Sequence, residues 1–171
     1  MPAKPDLNTT DQTDSKNGRG KLIGLVGAAC AATLFNCVPK FEGVILRGYK
    51  DPIGIVTACT GHTKTAVLGR AYSMQECDQL LVQDLVEHAE GVKSCVKTPL
   101  TTYQLAATVS FAFNVGVSHF CTSSMAKKFN TGDIKGACAE LSRWVYAGGK
   151  VLPGLVKRRQ VERDMCEGKL L

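Results

Sequence analysis

Phe41-Glu42-Gly43 leads into Tyr49-Lys50-Asp51-Pro52 and then Gly54-Ile55-Val56-Thr57-Ala58-Cys59-Thr60-Gly61-His62. From 43 to 65, Gly43, Gly48, Pro52, Gly54 and Gly61 punctuate the β-branched residues Val44, Ile45, Ile53, Ile55, Val56 and Thr57. This is a pattern of short strands joined by hairpin turns. An apolar run precedes it, so Glu42 falls where a helix hands over to a strand. A glutamate, an aspartate nine positions on and a threonine six beyond that are suited to splitting a glycosidic bond, in which one carboxyl protonates the leaving oxygen and the other directs a water. By spacing alone the two carboxylates read first as solvated surface charge.

Downstream the periodicity is helical. Ser73-Met74-Gln75-Glu76 is a capping-box pattern, and Cys77, Leu80, Leu81, Leu85 and His88 follow on helical spacing, which predicts a helix over 73–88. Thr101-Thr102-Tyr103-Gln104 repeats the box ahead of Leu105, Ala106, Val109, Ala112 and Phe113, marking a deeply buried helix. Shorter helices are expected over 123–129 and 134–146, and a last one from Pro153 to about Glu167, stopped by Gly168. The fold class is therefore α+β: a small sheet lobe and a larger helical lobe facing each other over a cleft, the kind of joint that grips a long polymer.

The 171 residues suffice for one domain with a tail, and 44% hydrophobic residues for a real core. A net charge of +6 favours approach to polyanionic surfaces such as a cell wall. The basic residues are dispersed, so nucleic acid is not expected as a partner. Their one run, Lys157-Arg158-Arg159, reads as a turn of solvated helix. Eight cysteines without close C-x-x-C pairs or a Cys/His cluster point away from a metal site and toward disulfides formed in an oxidising space. The other reading is that several are small buried apolar groups. No cofactor is called for.

Residues 1–21 are polar and without apolar periodicity, a composition that predicts a disordered tail. Residues 22–39 are uncharged, and Leu22 to Val38 sit at the short end of what spans a bilayer as a helix. With Lys16, Arg19 and Lys21 ahead of them, the positive-inside tendency puts the N-terminus in the cytoplasm and residues from Lys40 onward outside. The segment reads three ways: a permanent anchor, a signal peptide cleaved at Ala29-Cys30-Ala31, or an anchor weak enough to leave the membrane. Residues 40–171 form the remaining domain.

From Phe41 onward the chain resembles glycoside hydrolase family 24, the phage lysozymes or endolysins, and most closely the signal-anchor-release endolysins of lambdoid phages. The matching segments are Glu42 to Asp51 to Thr57, Thr60-Gly61-His62-Thr63, Ser110-Phe111-Ala112-Phe113-Asn114-Val115-Gly116, Arg143-Trp144-Val145-Tyr146-Ala147-Gly148-Gly149 and Leu152-Pro153-Gly154-Leu155-Val156-Lys157-Arg158-Arg159. The resemblance implies a lysozyme-like two-lobed fold. It also implies an inverting cut between N-acetylmuramic acid and N-acetylglucosamine in peptidoglycan, with Glu42, Asp51 and Thr57 as the catalytic residues. For 22–39 it favours release, so the expected course is residence in the host inner membrane followed by escape to the periplasm as a monomer.

Residue by residue, Glu42 is the candidate general acid. It must hold its proton near neutral pH, which asks for an apolar, partly desolvated setting such as Phe41, Val38 and the helical lobe would give. Asp51 must stay ionised, and the Thr57 hydroxyl, donor and acceptor at once, would hold the attacking water. Phe113 and Asn114 are candidates to line the cleft, or core at helical spacing. Arg143 and Arg158 either brace the catalytic lobe or meet acidic substrate groups. His62 is expected to be a structural, hydrogen-bonded or ion-paired residue, His88 and His119 boundary residues, and Trp144 an anchor of the helical lobe. Strand alternation would point Cys59 to the face of Thr57. Cys30 and Cys37, seven apart, share one helix face. They either exchange with a cysteine of the soluble domain once released or simply pack as small apolar groups.

Overall fold

Both capping boxes form as written. The structure, a computed structural model, describes residues 8–169, with the backbone alone for 8–16. Ser73 Oγ accepts from the Glu76 amide at 3.1 Å while Glu76 Oε2 accepts from the Ser73 amide at 2.7 Å. The equivalent pair joins Thr101 and Gln104 at 3.3 and 2.9 Å. In chain order the elements are α1 (Asn8–Val26), α2 (Ala28–Glu42), β1 (Ile45–Lys50), β2 (Val56–Cys59), α3 (Met74–Cys95), α4 (Thr102–Val115), α5 (Val117–Thr122), α6 (Ser124–Asn130), α7 (Ile134–Glu140), β3 (Tyr146–Ala147), β4 (Lys150–Val151) and α8 (Pro153–Cys166). A 3-10 turn, Leu141–Arg143, follows α7.

Helix α3 runs two turns past the expected end at His88, because Ala89 and Val92 keep its apolar stripe buried up to Val96. Helix α4 is the hub of the helical lobe, every residue from Ala106 to Ala112 being buried. The helix expected over 134–146 stops earlier. The chain leaves the 3-10 turn at Arg143, and β3 and β4 then form a tight antiparallel hairpin around Gly148 and Gly149, both at positive φ. A helix through 148–149 would force two glycines into a conformation they favour less than other residues do. The small lobe is the antiparallel β1–β2 hairpin, registered Tyr49 to Thr57 and Lys50 to Val56. The alternation of small sheets and helices bears out the α+β class.

Two expectations about the N-terminal region change. A helix occupies 8–26 where a disordered tail was expected, and residues 1–7 lie outside the described residues. The apolar segment after it folds into the core. Leu22, Val26, Cys30, Leu34 and Val38 recur every fourth residue and all are buried, four of them completely. Such i, i+4 spacing is the apolar face of an amphipathic helix. The helix is broken by Gly27 at φ 85°, where α1 and α2 turn by 112°, so the stripe wraps around α3 and α4 instead of running straight. Gly18 permits the close approach, since a Cβ there would lie 2.9 Å from Val82 Cγ1. Lys21 pairs with Glu90 at 2.8 Å, and Lys93 Nζ donates to the Leu25 carbonyl at 2.8 Å at the exposed end of α1. Among the described residues no single helix is long and apolar enough to cross a membrane, although the bent pair α1 and α2 has the length and composition together.

Three disulfides close the fold: Cys59–Cys77 ties β2 to the start of α3, Cys95–Cys121 ties the end of α3 to α5, and Cys138–Cys166 ties α7 to α8. Cys30 and Cys37 stay as thiols, Cys30 within the core. In the arrangement found, neither is bonded to a cysteine of the catalytic domain. All six bonded cysteines lie downstream of residue 58, and Cys30 and Cys37 take the alternative role of small packing groups.

Candidate active site

Glu42 is the last residue of α2, and Gly43 at φ 74° turns the chain out of the helix into β1. From the helical side the Arg158 guanidinium donates Nη1 to Glu42 Oε1 and lies 4.8 Å over the Phe41 ring. From the hairpin side, the Thr60-Gly61-His62 turn closes on the other oxygen, and a Cβ on Gly61 would stand 3.9 Å from Glu42 Oε2. Glu42 thus sits at the junction of the two lobes, partly open to solvent. The apolar setting expected for it is only half realised: Phe41 and buried Val38 are there, but the nearest partner is a buried cation.

Asp51 follows β1 directly. Its Oδ1 accepts the amides of Ile53 at 3.0 Å and Ile55 at 2.8 Å, fixing the Asp-Pro-Ile-Gly turn, with Gly54 at φ 88° completing it. Among the described residues no donor reaches Oδ2, so one oxygen organises the turn and one stays free to act. Thr57, in β2 across from Tyr49, is 5% exposed and donates Oγ1 to the Ile55 carbonyl at 3.2 Å. The turn that Asp51 organises thus also anchors Thr57, and the hairpin register brings both to one end of the small lobe.

His62 is the structural residue expected. Its Nδ1 faces Asp84 Oδ2 at 2.9 Å, and its Nε2 accepts from the Thr65 amide at 3.1 Å, which puts the ring proton on Nδ1 toward the carboxylate. Burial pushes the Asp84 carboxyl upward and the His62 bond opposes this. With Cys59–Cys77, this pair pins the hairpin lobe to α3. Cys59 does not extend the face of Thr57. Its backbone is left-handed at φ 57°, which interrupts strand alternation, and its sulfur is committed to Cys77.

The largest departure concerns the basic run. Expected in solvent, Arg158 and Arg159 are 5% and 1% exposed, and Glu162 between α8 and α4 is fully buried. Arg158 Nε donates to Glu162 Oε1 at 3.0 Å, Arg158 Nη2 to the Ser110 carbonyl at 3.0 Å, and Ser110 Oγ to Glu162 Oε1 at 2.7 Å. Arg159 lies 4.8 Å over the Phe111 ring and donates Nη2 to Asn114 Oδ1. Asn114, exposed at the end of α4, is thereby linked to the cluster behind Glu42. Phe113 packs instead against His88, ring centroids 4.9 Å apart, while His119 is exposed and bonds the Val115 carbonyl. Trp144 meets Phe111 edge-on at 5.2 Å, the anchoring role expected. Sequence reasoning missed Glu162, Ser110 and Arg159. The available signal was spacing: 158, 159, 162, 165 and 166 form one helical stripe that ends in apolar Met165 and Cys166, so its charged members face inward.

Arg143 is not brought to Glu42. It is exposed and pairs at 3.1 Å with Glu140, which also accepts from Lys128 at 2.6 Å and Ser124 at 2.7 Å. These donors, Lys128 first, hold the Glu140 carboxyl down at about 2. A folded value below the unfolded one, about 4.3, means stability that is present above the unfolded value and is lost as pH falls through the folded one. Glu140→Gln should therefore cost on the order of 1–2 kcal/mol near neutrality, Lys128 and Arg143 being partly solvated. In thermal melts across pH, the gap to the wild type should close as pH falls from about 4 toward 2. A gap that persists at pH 2 would contradict the assignment.

Comparison with known proteins agrees with this geometry. The family model described as phage lysozyme matches residues 39–162. The SAR-endolysin of Bacteriophage PS119 is 46% identical over 126 residues, 73% of this chain and 75% of that protein. The muramidase domain of SpmX from Asticcacaulis excentricus is 32% identical with a TM-score of 0.73, covering 79% of this chain and 94% of that one. The active form of the P1 phage endolysin Lyz, 20% identical, shares the fold with a TM-score of 0.76 over 94% of this chain and 95% of that one. That span necessarily takes in much of α1 and α2.

Proposed function

The chain belongs to the phage lysozyme family, a glycoside hydrolase acting as an endolysin in phage lysis, and from that premise we propose that it hydrolyses the β-1,4 bond between N-acetylmuramic acid and N-acetylglucosamine with inversion. The observation that carries this reading is Glu42 at the lobe junction, between Arg158 and the Gly61 turn, beside the hairpin that bears Asp51 and Thr57. Glu42 protonates the glycosidic oxygen. The free oxygen of Asp51 takes a proton from a water on the opposite face of the sugar, and the Thr57 hydroxyl orients that water. Inversion requires room for it, with the carboxyl groups about 6.5–9.5 Å apart. On the helical lobe, exposed Asn114, linked through Arg159 to the cluster behind Glu42, is the group left to contact the glycan, whereas Phe113 is taken up by His88 and Arg143 by Glu140.

The same apolar stripe supports a two-state life for residues 22–38. In lipid it faces acyl chains, with Lys16, Arg19 and Lys21 keeping the N-terminus cytoplasmic. Once out, it fills the core between α3 and α4. The tethered form lacks α2 in its folded place and hence lacks the helix end that carries Glu42, so export in an inactive state follows. The released enzyme acts from the periplasm on peptidoglycan, as a monomer and without nucleic acid.

Digestion of purified peptidoglycan tests the chemistry. Muropeptides with reducing N-acetylmuramic acid, released first as the α-anomer by NMR, are expected. A 1,6-anhydro end would make the protein a lytic transglycosylase, which has no use for Asp51, and an initial β-anomer would overturn inversion. N-terminal sequencing of the periplasmic protein tests release: a chain still carrying residues 22–31 is expected, and one beginning after Ala31 would mean cleavage.

A further inference from the structure

Behind Glu42 lie three buried charges, the cations Arg158 and Arg159 and the anion Glu162, with partly exposed Glu42 as the second anion of the group. All three nitrogens of the Arg158 guanidinium are committed, Nη1 to Glu42, Nε to Glu162 and Nη2 to the Ser110 carbonyl. Glu162 takes Ser110 Oγ and Arg158 Nε on Oε1. Arg159 Nη1 stands 2.8 Å from its Oε2, close enough to pair but off the hydrogen-bond direction. Every element packed on the group contributes. Helix α8 supplies Arg158 and Arg159, α2 supplies Glu42 and the nearby Cys37 thiol, α4 the uncharged Ser110, and the hairpin lobe the Gly61 turn.

A carboxyl paired with a single buried guanidinium is fastened in its ionised form, since an opposite charge in contact lowers its pKa by about 1–3 units. That is the form unable to protonate a leaving group. Glu162 changes this balance: it also contacts Arg158, from the Nε side, so when a proton arrives on Glu42 the guanidinium keeps a carboxylate in contact, one that it shares with Arg159. We propose that Glu162 is a positioning residue for the reaction, a resident counter-anion that shares Arg158 with Glu42 and so lets Glu42 carry the proton it transfers. Geometry favours the carboxylate form of Glu162, since Oε1 accepts from Ser110 Oγ and Arg158 Nε and Oε2 faces Arg159 Nη1 at 2.8 Å. Burial lowers Arg159 to about 10, still charged at neutral pH, and burial pushes Glu162 upward against the two guanidinium groups. The inference rests on Glu42 being the general acid.

The test is the pH profile of kcat/KM on soluble peptidoglycan fragments, whose basic limb reports loss of the proton from the acid of the free enzyme. In Glu162→Gln, of the same shape but uncharged, the limb should move to lower pH by about one unit or more. At pH values above the limb, activity would then fall about tenfold and return on acidification, as a one-unit shift requires. Glu162→Asp, which keeps the charge, should move the limb back toward the wild-type position. A rate lowered by the same factor at every pH, with the limb in place, would mean packing alone and overturn the proposal. Should Glu162→Gln fail to fold by circular dichroism, Ser110→Ala decides: loss of the hydroxyl donor to Glu162 should shift the limb the same way by less, and an unmoved limb overturns the proposal. An active Glu42→Gln protein would sink the acid assignment itself, whereas an inactive one beside an unmoved Glu162→Gln limb would sink only the role of Glu162.

Discussion

Replacing Glu42 by Gln should reduce lysis of permeabilised Gram-negative cells by about a thousandfold or more, since general acid catalysis of this kind contributes roughly 10²–10⁴ and the amide has no proton to give. The fold should survive. Arg158 loses one anion but retains Glu162 and the Ser110 carbonyl, so the guanidinium is not left as an uncompensated buried charge, the situation that costs several kcal/mol. A melting temperature within a few degrees of wild type alongside the loss of turbidity clearing is the expected pair of results. Retention of more than a tenth of the activity would mean that position 42 does not supply the proton.

Reducing the three disulfides should have the largest effect on stability. They close segments of 18, 26 and 28 residues, and each constraint removes unfolded-chain entropy worth about 3 kcal/mol. Together this approaches the whole stability of an ordinary domain, about 5–15 kcal/mol. The oxidised protein should therefore show a cooperative thermal transition well above 37 °C, and the reduced, alkylated protein none at all or one far below it. A reduced protein that melted within a few degrees of the oxidised one would mean that the helical core suffices by itself. Cys59–Cys77 has an additional consequence, because it holds the strand that carries Thr57 against α3. Its loss alone should lower activity more than Cys138–Cys166, which joins α7 to α8 at the other end of the helical lobe.

Much of this molecule is legible locally. Capping boxes at Ser73 and Thr101, the glycine-punctuated strands of 43–65 and Pro153 at a helix start each depend on a few neighbouring residues, so the sequence alone determined those elements. It also determined that Glu42 ends a helix and that Asp51 and Thr57 share a hairpin. The helix expected to reach Tyr146 ends at Glu140 and its 3-10 turn at Arg143, because the chain beyond enters the hairpin that turns at Gly148-Gly149. Tertiary structure alone decided the rest. An apolar stripe at every fourth residue from Leu22 to Val38 satisfies lipid and protein core equally, because either removes it from water, and only α3 and α4 beside it settle which in the folded molecule. Eight cysteines permit 105 full pairings, whereas the structure makes three bonds and leaves Cys30 and Cys37 out, following which sulfurs the packed elements bring together. The run at Arg158 and Arg159 reads as surface because charge by itself belongs in water, although bracing of the catalytic lobe is one role open to Arg158, and Glu162 gives no signal of its own. Their burial depends on Glu42, Ser110 and Asn114 arriving from two other helices to balance the charges and accept or donate the hydrogen bonds.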